Sequence, residues 1–122
     1  MALVLLVDDN CELRRSVHRI LAVSGHDVIE AGDGDEALGL LRRHHPDLII
    51  TDVIMPKKDG IETIIEIRRE GLPVKILAIT GGDCVGGPIY LAAAAKLGAD
   101  AVMRKPLRVT EFQALIDQLL EG

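Results

Sequence analysis

Five short apolar runs alternate with longer stretches of helical patterning, and this alternation restricts the possible folds of the chain more than any other feature. Leu3–Val7 is continuously apolar, residues 48–50 likewise, and residues 76–79 nearly so. Unbroken runs of this kind suit strands covered by helices on both faces, as in a parallel sheet. Asp27–Ala31 and residues 101–103 are more polar or shorter, which suits the sheet edges. Helices are expected between and after these strands. The first spans residues 11–24, with Leu13, Val17, Ile20 and Leu21 on one face and Gly25 as its stop. The second spans Gly34–His44, with Ala37, Leu38 and Leu41 inward, and ends before Pro46. The third covers residues 60–70 and presents Ile61, Ile64 and Ile65. The fourth starts near Pro88, a good first-turn residue, and closes at Gly98. The last spans residues 110–120, with Phe112, Leu115, Ile116 and Leu119 spaced for one buried face.

A length of 122 residues suits a single domain over residues 1–122, with no internal repeat. Five βα units of this size are expected to form an open, doubly wound α/β sheet, because connections between parallel strands are right-handed. The most apolar strands, the first, third and fourth, belong in the middle, which gives the flavodoxin-like order 2-1-3-4-5. Ligands of such sheets sit outside the carboxyl ends of the strands, near the point where strand order reverses. Chemistry is therefore to be sought at the strand ends.

Composition narrows the function classes. The formal net charge is −5 and no basic run occurs, so no nucleic-acid partner is expected. The apolar amino-terminal stretch stops at Asp8, well short of the roughly 18 residues a membrane span needs, so no membrane partner is expected. Cys11 and Cys84 form no CxxC pair and lie apart from any zinc-spaced histidines, so both read as free thiols in a reducing, cytoplasmic compartment. His44-His45 and Lys57-Lys58 read as a helix end and a solvated loop.

At the strand ends stand Asp8-Asp9-Asn10, Thr51-Asp52, Thr80-Gly81-Gly82 and Lys105-Pro106. In the inferred strand order three carboxylates, a hydroxyl and an ammonium converge. Carboxylates so close repel one another unless a cation joins them. A hard divalent ion with oxygen ligands answers that need, and Mg²⁺ fits best because it combines a few carboxylates with waters and a phosphate oxygen. An aspartate can act as nucleophile toward phosphorus, and the metal, the Lys105 ammonium and the Thr80 hydroxyl would each stabilise charge on a transferring phosphoryl group.

From Val4 to Leu120 the chain resembles the receiver domains of two-component response regulators, of the single-domain type. The resemblance is carried by Asp8-Asp9, by Asp52 followed by Met55-Pro56 and Asp59-Gly60, by Thr80, and by Lys105-Pro106, all in order. It implies that Asp52 is the phosphoacceptor of a phosphoprotein switch, fed by a phosphohistidine on a sensor histidine kinase or a histidine phosphotransfer protein. Asp8 and Asp9 would hold Mg²⁺ together with Asp52 and the backbone carbonyl of Ile54. Lys105 would pair with the phosphoryl oxygens, and Thr80 would move inward to hydrogen-bond them. The Lys105-Pro106 bond is expected to be cis. Output would pass through the surface of the fourth helix, fifth strand and fifth helix to a target protein or a second copy in a homodimer. Arg14 and Arg15 on the first helix could help dock the phosphodonor or simply face water.

The chain departs from the family pattern in two places. Val102 stands three positions before Lys105, where an aromatic residue commonly swings inward, and valine has one short, stiff torsion. Tyr90 is the only tyrosine and could substitute as reporter, or simply pack or face water. The second departure is the glycine-rich stretch of residues 81–88, which lengthens the Thr80-to-Lys105 spacing and lacks the GxxxxGK[ST] arrangement of a nucleotide loop.

Three function classes compete. The leading reading is a signalling receiver that catalyses only its own phosphorylation and dephosphorylation and is otherwise no enzyme. The alternative is a phosphorylation-independent, pseudo-receiver interaction module, motivated by Val102. An aspartate-dependent phosphohydrolase would show Asp-x-Asp at the first strand, where this chain has Asp8-Asp9-Asn10.

Overall fold

A computed structural model describes residues 2–54, 59–81 and 87–121. Met55-Pro56, Lys57-Lys58 and residues 82–86 of the glycine-rich stretch, with Cys84, lie outside the described residues. The order of elements is β1 (Leu3–Val7), α1 (Cys11–Val23), β2 (Asp27–Ala31), α2 (Gly34–His44), β3 (Leu48–Asp52), α3 (Gly60–Arg69), β4 (Lys75–Thr80), α4 (Gly87–Leu97), β5 (Ala101–Arg104) and α5 (Val109–Glu121). All strand pairs are parallel, in the order β2-β1-β3-β4-β5. The flavodoxin-like architecture expected from the apolar runs is the one observed.

Strand periodicity divides the core into two layers. Leu5, Val7, Ile49, Ile76 and Ala78 meet Ala37, Leu38, Leu41, Ile64, Ile67, Leu91 and Ala94 of α2, α3 and α4. Val4, Leu6, Leu48, Ile50, Leu77 and Ile79 meet Val17, Leu21, Phe112 and Ile116 of α1 and α5. Successive strand residues thus point to opposite helix layers, and that is why the three central strands read as unbroken apolar runs. The helix positions expected inward are buried or, at Leu13, Ile20, Ile61, Leu115 and Leu119, half-buried against the core, except at Ile65. Ile65 of α3 is half-buried outside both core clusters, and Thr63 and Ile67 are buried on that helix instead.

At the carboxyl end of the sheet α1, α2 and α3 start on side-chain caps. Asn10 Oδ1 accepts the amides of Glu12 and Leu13 at 3.1 and 3.2 Å. Asp33 Oδ1 accepts the Glu36 amide at 2.9 Å, and Asp59 Oδ1 the Glu62 amide at 2.9 Å. Each cap satisfies amides that the helix itself cannot. The caps also fix where the chain leaves β1, β2 and the loop after β3. At the opposite end of the sheet, Arg68 gathers α3, β4 and β5. Its guanidinium donates to the carbonyls of Gly98 and Val74 and to Asp100 Oδ2, which also accepts the Ile76 amide.

Candidate functional site

Strand register brings the acidic residues together. Val7 pairs with Thr51, so Asp8, one residue on, comes beside Asp52. Asp52 in turn pairs with Ile79, and Thr80 with Arg104. The Lys105 amide continues this pairing by donating to the Thr80 carbonyl at 2.8 Å. Residues as far apart as 8 and 105 therefore meet because β1 and β3 sit at the centre of the sheet while β5 reaches round from its edge.

Lys105 Nζ lies between two carboxylates, 2.9 Å from Asp52 Oδ2 and 3.1 Å from Asp8 Oδ2. Asp52 Oδ1 accepts the Ile54 amide at 3.2 Å, and Asp8 Oδ1 the Asn10 amide at 2.9 Å. Asp8 and Asp52 are buried, while Asp9 is exposed at the rim. One carboxylate oxygen from each of Asp8, Asp9 and Asp52 lies within 4.8 Å of the others. Ile54 directly follows Val53 with an exposed side chain. The peptide bond joining Lys105 to Pro106 is cis.

The charges do not balance. Burial pushes the Asp52 carboxyl above the ordinary aspartate range, and Asp8 adds to the rise, more than Lys105 brings it down. Burial alone would lower the Lys105 ammonium, but hydrogen bonds and charges from Asp52 and Asp8 outweigh it and hold it above its ordinary value. Among the described residues one cation thus serves two buried carboxylates with a third at the rim. A divalent ion fits this donor set, since the converging atoms are hard oxygens and their excess charge is negative. Thr80 supplies a further unmet group. Its Oγ1 is buried beside the end of β3 and has no hydrogen-bond partner among the described residues. A hydroxyl so placed costs on the order of 1–3 kcal/mol until it finds an acceptor.

Several supporting residues were not legible as functional in the sequence. Gly60 packs against the Asp52–Val53 backbone so closely that a Cβ there would lie 2.7 Å from Val53 Cα. Its amide donates to the Val53 carbonyl at 2.8 Å, and the Val53 amide to Ile79 O at 2.8 Å. Only the Asp59-Gly60 dipeptide hinted at this. Arg14 turns inward to Glu30 and to the backbone of Asp8, whereas Arg15 is exposed. Tyr90 and Val102 are 42% and 38% exposed, so neither is packed beneath Thr80 as a buried reporter. The cavity bounded by Leu41, Pro46, Leu72 and Leu119 lies at the amino ends of β3 and β4, away from all of these groups.

Comparison with known proteins identifies the family. The family model described as "Response regulator receiver domain" matches residues 4–117. The response regulator MprA of Mycobacterium leprae is 38% identical over 117 residues, covering 96% of this chain and 50% of that protein. The chain spans about half the length of the curated relatives it matches. Among solved structures, the receiver domain of NtrX from Brucella abortus is 26% identical with a TM-score of 0.90, covering 98% of each chain. A response regulator receiver domain protein from Clostridium thermocellum is 25% identical with a TM-score of 0.91, covering 99% of this chain and 95% of that one. No helix among the described residues is long and apolar enough to cross a membrane. With the family's sequence pattern matched over nearly its whole length and the same fold around it, the chain belongs to the response regulator receiver domains.

Proposed function

We propose that this chain is a phosphoacceptor switch of two-component signalling, phosphorylated on Asp52 by a phosphohistidine donor. The observation that carries the reading is the Lys105 ammonium held 2.9 and 3.1 Å from the carboxylates of Asp52 and Asp8, with the Asp9 oxygen close by. An Asp52 oxygen attacks the phosphorus, forming an acyl phosphate as the donor's P–N bond breaks and its imidazole leaves. Lys105 then pairs with a phosphoryl oxygen in place of the carboxylate. The buried Thr80 hydroxyl, lacking a partner among the described residues, donates to another. Asp8, Asp9, Asp52 and the Ile54 carbonyl would hold Mg²⁺, which supplies charge neutralisation at the transferring group.

Movement of Thr80 would reshape the adjoining surface of α4, β5 and α5, through which a target protein or a second copy would bind. Sensor histidine kinases or histidine phosphotransfer proteins are the partner class this chemistry requires. On this reading the chain is cytoplasmic, consists of one receiver domain, and turns over no substrate besides its own phosphoryl group. A phosphorylation-independent interaction module is the second reading. It is favoured by Val102, whose partly exposed side chain cannot perform an aromatic swing.

Intact-protein mass after incubation with acetyl phosphate separates the two. A Mg²⁺-dependent gain of one phosphoryl group, absent in Asp52→Asn, supports the switch. Equal labelling of Asp52→Asn refutes the acceptor assignment, and absence of labelling from a histidine phosphodonor as well favours the interaction module.

A further inference from the structure

Asp8 reaches the site from a turn, and something must hold that turn still. Its side chain is held by Asn10 and Lys105. Its amide donates to the Ala31 carbonyl at 3.2 Å, and its carbonyl is held by a cluster spanning α1 and β2. Arg14 Nη1 donates to the Asp8 carbonyl, and Arg14 Nε to Glu30 Oε1 at 2.7 Å. The second Glu30 oxygen meets His18 Nδ1 at 2.7 Å. The Arg14 side chain is only 20% exposed, so it is committed to these contacts rather than to solvent. Gly32 lines the same space, where a Cβ would come 3.6 Å from Arg14 Nη1.

We infer that Arg14 is a positioning residue for the acidic pair, anchored by Glu30. This rests on the metal-binding reading of Asp8, Asp9 and Asp52 given above. The carbonyl that Arg14 grips belongs to the peptide linking Asp8 to Asp9. Fixing that peptide plane fixes the direction in which the Asp9 side chain leaves the backbone. Asp9 is exposed and lacks the packing that holds Asp8 and Asp52, so its aim depends on the backbone beneath it. Glu30 has a second effect. A bare guanidinium beside the site would repel a cation, and the carboxylate at 2.7 Å offsets its charge while leaving the donated hydrogen bond in place. The fork of arginine serves both contacts at once, which a lysine ammonium on a flexible stem cannot reproduce.

The test is Mg²⁺ binding by calorimetry, with Mn²⁺ paramagnetic resonance as a report of site symmetry, on wild type, Arg14→Ala, Arg14→Lys and Glu30→Gln. Arg14→Ala should weaken Mg²⁺ binding by about 10-fold, as losses behind a ligand commonly do, and broaden the Mn²⁺ spectrum. Arg14→Lys should fail to restore the affinity, and Glu30→Gln should weaken it too. Wild-type affinity in Arg14→Ala, or full rescue by lysine, overturns the inference while leaving the phosphoacceptor reading intact. If Arg14→Ala does not fold, Glu30→Gln decides by the same readout, and unchanged affinity there overturns the inference. If wild type itself binds no Mg²⁺, the metal reading falls and this inference falls with it.

Discussion

Replacing Gly60 by alanine tests whether the end of β3 that carries Asp52 is held by close backbone packing. Gly60 opens α3, directly after the capping Asp59, and its amide is bonded to the Val53 carbonyl. A Cβ at this position would lie 2.7 Å from Val53 Cα and 3.0 Å from the Asp52 carbonyl carbon, and closer still to the Asp52 carbonyl oxygen. Carbon atoms pack best at roughly 3.5–4.0 Å, so α3 and the end of β3 would have to separate by about 1 Å. None of the three atoms is the end of a flexible side chain, so the backbone itself must give. Overpacking of this kind costs about 1–3 kcal/mol. For 122 residues, an unfolding entropy of about 0.26 kcal/mol per degree converts that to a Tm lower by about 4–12 °C. The functional effect should be larger in proportion, because a displacement near 1 Å at a reacting group can slow reaction by about 100-fold. Thermal unfolding by circular dichroism and the rate of phosphoryl uptake from acetyl phosphate read the two effects separately. An alanine variant with wild-type Tm and wild-type uptake would refute the reasoning, because it would mean that the contact relaxes without moving Asp52.

Three other perturbations follow from the geometry. Lys105→Ala leaves the buried Asp8 and Asp52 carboxylates without their shared cation, so metal-free protein should lose about 1–3 kcal/mol. Saturating Mg²⁺ should recover part of that loss, and a melting curve insensitive to Mg²⁺ in the variant would contradict this. Arg68→Ala strips hydrogen bonds from the Gly98 and Val74 carbonyls and from Asp100 at the far end of the sheet. It should lower stability by about 1–3 kcal/mol while phosphoryl uptake stays at the wild-type rate, and loss of uptake in folded protein would show that the two ends are coupled. Burial would raise the Glu30 carboxyl, but Arg14 and His18 outweigh it and hold it below the ordinary glutamate value of 4.5. A carboxyl depressed in the fold stabilises above its unfolded value and loses that contribution as pH falls through its lower folded one. Urea midpoints of wild type and Glu30→Gln should therefore differ at neutral pH and draw together as pH falls below 4.5, and a constant difference down to low pH would remove Glu30 from the account.

The sheet was legible in the sequence because burial on both faces leaves an unmistakable mark. Leu3–Val7 and Leu48–Ile50 have no polar residue to interrupt them, and the polar positions of β2 and the shortness of β5 marked the edges. The same logic gave the neighbours of Asp8, Asp52, Thr80 and Lys105, since strand order and right-handed crossovers bring those ends together whatever the side chains do. The strands also run past their apolar runs to the residues read as standing at their ends. Thr51 and Asp52 belong to β3, and Thr80 to β4, although each is polar. Pairing with a neighbouring strand extends past the point where hydrophobicity stops. The inward face of α3 was misjudged at Ile65, because two isoleucines in succession look alike in a periodic pattern while only one can face the sheet.

What the sequence by itself determined was the list of candidate site residues and the side of the sheet on which they gather. The tertiary structure decided how they are held. Lys105 bridges Asp52 and Asp8, and burial leaves Asp52 above its ordinary range. Gly60 presses on the Asp52 backbone, and Arg14 reaches from α1 to the Asp8 carbonyl with Glu30 of β2 behind it. None of these leaves a periodic or motif signature. A glycine's necessity depends on which atoms face its missing Cβ, and an arginine's role on whether its guanidinium turns inward or out. Both depend on contacts between segments distant in the chain, and only packing of the whole chain fixes those contacts.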